Sequence, residues 1–150
     1  MARWGTRHNK ASDNVQSVSL LTAAASSPRR GKVYDITLGS AATPGDNAFI
    51  WIIQRCTTAG TGTTTTPNSL DPADTLACTI VATNVVTADP TLTANAFLYQ
   101  AALNQRATFR WVAQPYGEIL IPATASNGIM IGLSAASTSV MNVGVQFEEC

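Results

Sequence analysis

Apolar and polar residues alternate over most of the chain after position 32, and a period of two predicts β-strands with one buried face. Segment 33–39 is a clear case, because Ile36 and Leu38 alternate with Asp35 and Thr37. The pattern predicts further strands over 48–56, 75–82, 94–100, 105–113, 117–121, 128–133 and 139–148. About eight short strands result.

The strand predicted over 48–56 is apolar on both faces at its middle. Trp51 and Ile53 fall on one side of it, and Ile50 and Ile52 fall on the other. A strand of this kind lies in a core or at a contact with another subunit. Trp51 is therefore a candidate for a subunit interface.

The strand predicted over 105–113 has one aromatic and one basic face. Phe109 and Trp111 alternate with Arg110, and Arg106 lies on the basic side. One face is suited to filling the core while the other meets a sister subunit. The predicted subunit interface consists of Trp51, Arg106, Phe109, Arg110 and Trp111.

Helix signals are scarce, and only Asp71 followed by Pro72 predicts a single helical turn. Many short strands with few helices are typical of a sandwich or a barrel. We predict an all-β fold, a jelly-roll-like β-sandwich of about eight strands in two sheets. An immunoglobulin-like sandwich is the alternative, although its pattern of cysteine, tryptophan and cysteine is missing.

Charge is divided unevenly along the chain. Residues 1–32 carry six cations against one acid, whereas residues 33–150 carry three cations against eight acids. The neutral total therefore combines a segment of net charge +5 with a segment of net charge −5. We predict an extended basic N-terminal arm over 1–32 and a β-sandwich domain over 33–150.

A basic arm of low aromatic content is suited to lying across an acidic protein surface. Nucleic acid is a less favoured partner, because six cations in 32 residues are sparse and the body would be repelled. Trp4 is expected to anchor the arm in a pocket of the partner. The residues expected to bind the partner are Arg3, Trp4, Arg7, Arg29, Arg30 and Lys32.

Composition also indicates that other chains cover part of the surface. Charged residues make up 12 % of the chain, about half the usual share, so much of the exterior is neutral. Cys56, Cys78 and Cys150 are odd in number and form no CxxC pair, which favours reduced thiols and assembly in a cytoplasm. No apolar run approaches the roughly 18 residues of a membrane span, so no membrane partner is expected.

Side chains that carry catalysis are few and scattered. His8 is the only histidine, and no acid is placed beside it by a predicted strand or helix. Asp71 and Asp74 fit a turn cap better than a metal site, and Glu118 lies in a predicted turn, away from the terminal glutamates. We predict no enzymatic activity, no cofactor or metal, and no small-molecule substrate.

Two segments resemble small structural proteins encoded by tailed bacteriophages. They are KVYDITLGSAATPGDNAFIWIIQR at 32–55 and NQRATFRWVAQPYGEILIPATASNGIMIG at 104–132. The resemblance is to capsid decoration (cement) proteins with a jelly-roll body, and it covers roughly residues 32 to 149. It implies a homotrimer over the local threefold positions of a capsid, with an extended terminus that reaches neighbouring subunits of the major capsid protein.

The expected function is that of a structural virion protein on the outer capsid surface, where it binds and stabilises the lattice of major capsid protein. The alternative is a phage fibre or receptor-binding head that recognises carbohydrate. In that case the threonine-rich segment 57–66, expected to be an exposed loop, would line the sugar site.

Overall fold

The structure is a computed structural model, and it describes residues 2–13, 15–74 and 76–150. These residues form two antiparallel six-stranded sheets and contain no helix. The strands are β1 (Ala2–Ser12), β2 (Ser17–Thr22), β3 (Gly31–Ser40), β4 (Ala48–Cys56), β5 (Thr61–Thr65), β6 (Asn68–Ser69), β7 (Val81–Ala88), β8 (Leu92–Asn104), β9 (Phe109–Val112), β10 (Ile119–Ile121), β11 (Gly128–Leu133) and β12 (Ser137–Glu149).

The first sheet has the order β10, β3, β12, β1, β6. Because β12 pairs along one edge of β3, both β9 and β10 lie on its other edge, where they act as two halves of one interrupted strand. The second sheet has the order β5, β7, β2, β11, β4, β8. The two sheets form a β-sandwich.

The strand order is that of a jelly roll once β5, β6 and β7 are set aside as an insertion. The first strand then pairs with the last, and the second pairs with the one before the last. Two sheets of four result, namely β1, β12, β3 with β9–β10, and β2, β11, β4 with β8. The predicted β-sandwich is confirmed, and this order favours the jelly roll over the immunoglobulin-like alternative.

The prediction of an arm over 1–32 and a separate sandwich over 33–150 is wrong for the described residues. Strand β1 pairs with β12 along its whole length, and β2 lies inside the second sheet between β7 and β11. The physical reason is alternation, since Trp4 and His8 are buried while Arg3 and Arg7 are exposed. The cations therefore mark the wet face of a strand.

Three other predicted elements also differ from the structure. The strand predicted over 75–82 begins only at Val81, and Thr75 lies outside the described residues. The threonine-rich segment is exposed, but it contains β5. The helical turn predicted at Asp71 is a single turn of chain, in which the Ala73 backbone N–H donates to Asp71 Oδ1 at 2.9 Å.

Apolar side chains pack in two clusters. The larger cluster fills the space between the sheets, and it includes Phe147, Ile36 and Ile131, all at most 1 % exposed. The smaller cluster lies on the far face of the second sheet, and its buried members are Val15, Leu20, Ile52, Val86 and Met130. The second sheet is therefore apolar on both faces near its centre.

The two flanks of the sandwich differ in whether additional strands cover the edges of the two sheets. On one, β5 and β7 extend the second sheet beyond β2, and β6 pairs with β1 at Trp4 and Gly5. We call this the covered flank. On the other, the sheets end at β8 and at β9–β10, and Tyr99 of β8 stacks on Phe109 of β9 with ring centroids 5.8 Å apart. We call this the open flank.

Within the described residues, no helix has the length and apolar character needed to cross a bilayer.

Candidate functional site: a cationic face and an open flank

The outer face of the first sheet carries a row of charges at one end. Arg3, Glu148 and Lys32 lie directly opposite one another on β1, β12 and β3. The Nζ of Lys32 lies 3.9 Å from Oε1 of Glu148. Such partly exposed pairs contribute little to stability, so these cations stay available to a partner.

Two further cations lie where β12 ends. Arg29 Nε is 3.9 Å from Glu149 Oε1, while the Arg29 side chain is 58 % exposed. The Glu149 carboxylate is buried and accepts hydrogen bonds from the backbone N–H, at 2.8 Å, and the hydroxyl of Thr79. Arg30 is exposed, and its carbonyl accepts from the Cys150 N–H at 2.8 Å.

These predicted partner-binding cations therefore share one region of the surface. Arg7 lies in the same region. It is four residues after Arg3 on β1, and alternation puts both side chains on the outer side of that strand. Among the described residues, Arg3, Arg7 and Arg30 have no carboxylate within salt-bridge distance. We call Arg3, Arg7, Arg29, Arg30 and Lys32 the cationic face.

Trp4 is the exception among the predicted binding residues. It faces the core opposite Phe147 and is 4 % exposed. The indole cannot anchor a partner from there, so the prediction of Trp4 as an anchor is wrong. Its Nε1 has no hydrogen-bond acceptor among the described residues.

The predicted subunit interface is only partly brought together. Trp51 is 3 % exposed and belongs to the core, so its assignment to an interface is wrong. Phe109 and Trp111 are half-buried against the core at the open flank. Arg106 is exposed, with its guanidinium 3.9 Å from Asp46 Oδ2.

Arg110 is held by its own chain. Its Nε lies 3.0 and 3.1 Å from the two carboxylate oxygens of Asp35, and a second guanidinium nitrogen contacts Oδ2. The hydrogen bonds and the negative charge of Asp35 raise the pKa of Arg110. This geometry is the two-pronged kind that guanidinium and carboxylate groups favour, so Arg110 is positioned on the outer face of the first sheet.

The open flank has an apolar fringe that periodicity alone did not identify. Its exposed members are Phe97, Leu98, Val112, Tyr116 and Leu120. Beneath them lie half-buried side chains that pack on the core from β4, β8, β9 and β10, namely Phe49, Tyr99, Leu103, Phe109, Trp111 and Ile119. The core therefore extends to the surface along this flank.

Shallow cavities cross the outer face of the first sheet beside the cationic face. One of about 510 Å³ is lined by Arg3, Tyr34, Leu70, Asp71, Asp74 and Gln146. Another of about 320 Å³ is lined by Gly5, Thr6, Asp35, Thr37, Arg110, Gly144, Val145 and Gln146. Sequence reasoning did not single out Tyr34 or Gln146 as site residues. The pairing of β12 with β3 changes register between Gln146 and Phe147, and this shift helps place Tyr34 on the outer face. Alternation in the sequence does not reveal such a shift.

The only histidine of the chain, His8, occupies a structural position. His8 is 1 % exposed, with Nδ1 2.6 Å from Ser19 Oγ and Nε2 3.2 Å from the hydroxyls of Thr6 and Thr65. Burial lowers the pKa of His8 to about 4. The imidazole is therefore neutral near pH 7 and links β1, β2 and β5.

The internal cysteines have the properties of unreactive thiols. Burial raises the pKa of Cys56 to about 11, and burial together with the Glu149 carboxylate raises that of Cys78 to about 12. Thiolate is the reactive form, so neither is activated at neutral pH. In the described part of the chain, no three histidine, cysteine or acidic side chains are grouped so that they could hold a metal ion.

Comparison with known proteins found no matching family model, no similar curated protein and no similar solved structure.

Proposed function

We propose that this chain is a structural virion protein, a capsid decoration protein that binds the outer surface of the major capsid protein lattice as a homotrimer. The observation that carries the proposal is the cationic face. Five exposed or half-exposed cations, Arg3, Arg7, Arg29, Arg30 and Lys32, lie on one sheet face and its end. An acidic shell surface is the partner that this charge pattern fits.

A folded face is better prepared for binding than a mobile arm. The backbone of β1 and β3 is already fixed by pairing with β12, so binding orders only side chains. The proposed partner of these cations is therefore the same as that predicted for the arm. Residues fixed in a sheet, however, cannot extend across to a neighbouring subunit. Contact is limited to what the sheet face can touch.

The proposed mechanism is stabilisation by binding. A copy that spans the joint between capsid subunits adds buried area there, and ligand binding to the assembled lattice stabilises it by mass action. The action requires no covalent chemistry. Phage resemblance and the jelly-roll order support this function, and the low content of charged residues supports an assembled setting.

The test is co-sedimentation with shells of major capsid protein that lack the decoration protein. The variant Arg3→Glu, Arg7→Glu, Arg30→Glu reverses three cations that have no ion pair among the described residues. We expect binding to weaken roughly 100-fold or more, since like charges would then oppose each other. Thr63→Glu, at an exposed position of β5 on the covered flank, is the control and should bind as the parent does. Equal sedimentation of the triple variant and parent would exclude the cationic face as the shell contact.

The second candidate is a carbohydrate-binding head of a phage fibre, and one specific observation favours it. The half-exposed ring of Tyr34 lines the cavity of about 510 Å³ together with the amide group of Gln146 and the carboxylate of Asp71. An aromatic ring flanked by polar groups is the usual surface for a sugar. In this second candidate, the proposed sugar site lies at Tyr34 and not at the threonine-rich segment.

A glycan array followed by titration separates the two candidates. Saturable binding that is lost in Tyr34→Ala and kept in Tyr116→Ala would favour the receptor-binding head. The control is matched in residue type, and Tyr116 is fully exposed on the other side of β3. Shell binding without glycan binding would favour the decoration protein.

A further inference from the structure

Strand β8 is an uncovered edge whose second half, Tyr99–Asn104, lacks the usual protection. In the second sheet it pairs with β4 on one side and with no described strand on the other. Monomeric proteins commonly protect such edges with charged residues or proline. Segment 92–104 contains neither, and over Tyr99–Asn104 it keeps regular register with β4. Over Tyr99–Leu103, the backbone groups that point away from β4 pair with no described strand, so this edge can accept another strand.

The neighbouring edge of the first sheet adds apolar area to the same flank. Val112 and Leu120 are 56 % and 38 % exposed on β9 and β10. Phe97 and Leu98 are 51 % and 37 % exposed on β8. The stacking of Tyr99 on Phe109 joins the two edges into one surface.

Two of the cations on this flank are neutralised within the chain, and a third, Arg55, is half-buried and donates to the Leu120 carbonyl. Arg110 is bound by Asp35, and Arg106 lies beside Asp46. A strongly charged partner therefore gains little here, whereas an equally neutral and apolar surface fits. A second copy of this chain offers such a surface.

The size of the flank is also suited to a stable contact. A strand of 13 residues is roughly 40 Å long at about 3.3 Å per residue, and two sheets about 10 Å apart with their side chains are roughly 20 Å wide. The product, roughly 800 Å² per copy, matches what a stable protein interface of standard size needs on each side.

We infer that the open flank is the contact between copies of this chain, in which the free edge of β8 with Phe97 and Leu98 in one copy packs against the β9–β10 edge of the open flank in the next. The inference names the surface that joins the homotrimer, and it rests on that part of the proposed function. It involves a surface other than the cationic face.

The test measures the mass of the full chain in solution without capsid shells. Light scattering coupled to size exclusion should give a multiple of 15.7 kDa. Phe97→Asp with Leu98→Asp should weaken association roughly 100-fold, because two carboxylates would be buried without partners. Val85→Asp is the control, since Val85 is 45 % exposed on β7, at the covered flank, and should associate as the parent does.

A second measurement uses the parent chain, so its main result does not depend on the folding of a variant. Hydrogen exchange of the parent chain is compared at low and high concentration, and amides over Tyr99–Asn104 should exchange more slowly at high concentration while those of β5 do not change. Ala102→Asp, at an exposed position of β8, should abolish this slowing.

The outcomes separate this inference from the proposed function. A monomer at all concentrations, or association that Phe97→Asp with Leu98→Asp leaves intact, overturns the inference even where shell binding persists. Association through β8 without shell binding keeps the inference and overturns the decoration function. A dimer held by β8 supports the contact and contradicts the homotrimer.

Discussion

The covered and open flanks of one sandwich show two ways of ending a sheet. At the covered flank, β5, β6 and β7 continue the sheets beyond β1 and β2, and His8 is enclosed by Ser19 and Thr65. At the open flank, the sheets stop at strands with exposed apolar side chains. The insertion that contains β5, β6 and β7 covers one flank only. We infer that the closed side supports folding and that the open side is kept for contact with other molecules.

The largest expected difference is in the free energy of unfolding. Trp4→Ala removes a buried indole beside the covered flank and should destabilise the fold by about 3–5 kcal/mol. Trp111→Ala removes a half-buried indole at the open flank and should cost about half as much. Urea unfolding of dilute protein measures both. A change below about 0.5 kcal/mol for Trp4→Ala, as expected for an exposed site, would instead support the prediction of an extended arm over 1–32.

The pH dependence of stability tests the covered flank next. The folded pKa of His8 is about 4 and its unfolded value is 6.5, so the folded state disfavours the charged imidazole. Stability is therefore complete above pH 6.5 and is lost as pH falls towards 4. At about 1.4 kcal/mol per pKa unit the loss is about 3 kcal/mol.

The measurement is urea unfolding between pH 7.5 and 4.5 for the parent and for His8→Asn. Asparagine does not titrate, so the difference in slope between the two proteins isolates the imidazole from the carboxylates. Parallel stability profiles would show that His8 is not enclosed as described.

A smaller difference in stability is expected between a glycine substituted in the packed second sheet and one substituted on the outer face of the first sheet. A Cβ at Gly128 would lie 2.0 Å from the Leu21 carbonyl oxygen, whereas a Cβ at Gly144 meets only Thr37, at 3.8 Å. Gly128→Ala should therefore destabilise by about 2 kcal/mol, and Gly144→Ala should be neutral or slightly stabilising. Thermal unfolding of the two variants checks the order, and equal melting temperatures would contradict it.

The smallest effect is expected at the open flank. Phe97→Ser changes an exposed ring and should alter the stability of dilute, dissociated protein by less than about 0.5 kcal/mol. The same substitution should reduce association at high concentration. A large loss of stability in dilute protein would mean that Phe97 belongs to the core of a single copy, and the contrast between the flanks would then disappear.

Alternation predicted strands such as segment 33–39, where polar residues mark every second position. Apolar runs predicted β4 and β11, which are buried on both faces. Strand β2 is buried on both faces, and Ser17, Ser19 and Thr22 lie inside it, so its sequence shows neither alternation nor an unbroken apolar run. Strand β5 is all threonine and glycine and exposed, so it resembles a loop.

The sequence predicted which cations belong to the candidate site but not where they lie in the fold. Counting charge identified Arg3, Arg7, Arg29, Arg30 and Lys32, and these do share one region. Counting does not show that Arg3 and Arg7 alternate with buried neighbours, which is what fixes them on a sheet. Tyr34 and the fringe at Phe97 depend on register shifts and on which strands remain at an edge, and both are set by long-range pairing.

The pairing of β1 with β12 has a consequence for synthesis of the protein. Ala2 is aligned with Glu149, so β1 is synthesised well before its partner strand β12. At about 5–20 residues per second this delay is roughly 7 to 30 s. Until then β1 has no long partner, and the first sheet cannot close around its core. Folding therefore finishes only after translation of β12, and a truncated chain that lacks this strand should be captured by chaperones or degraded.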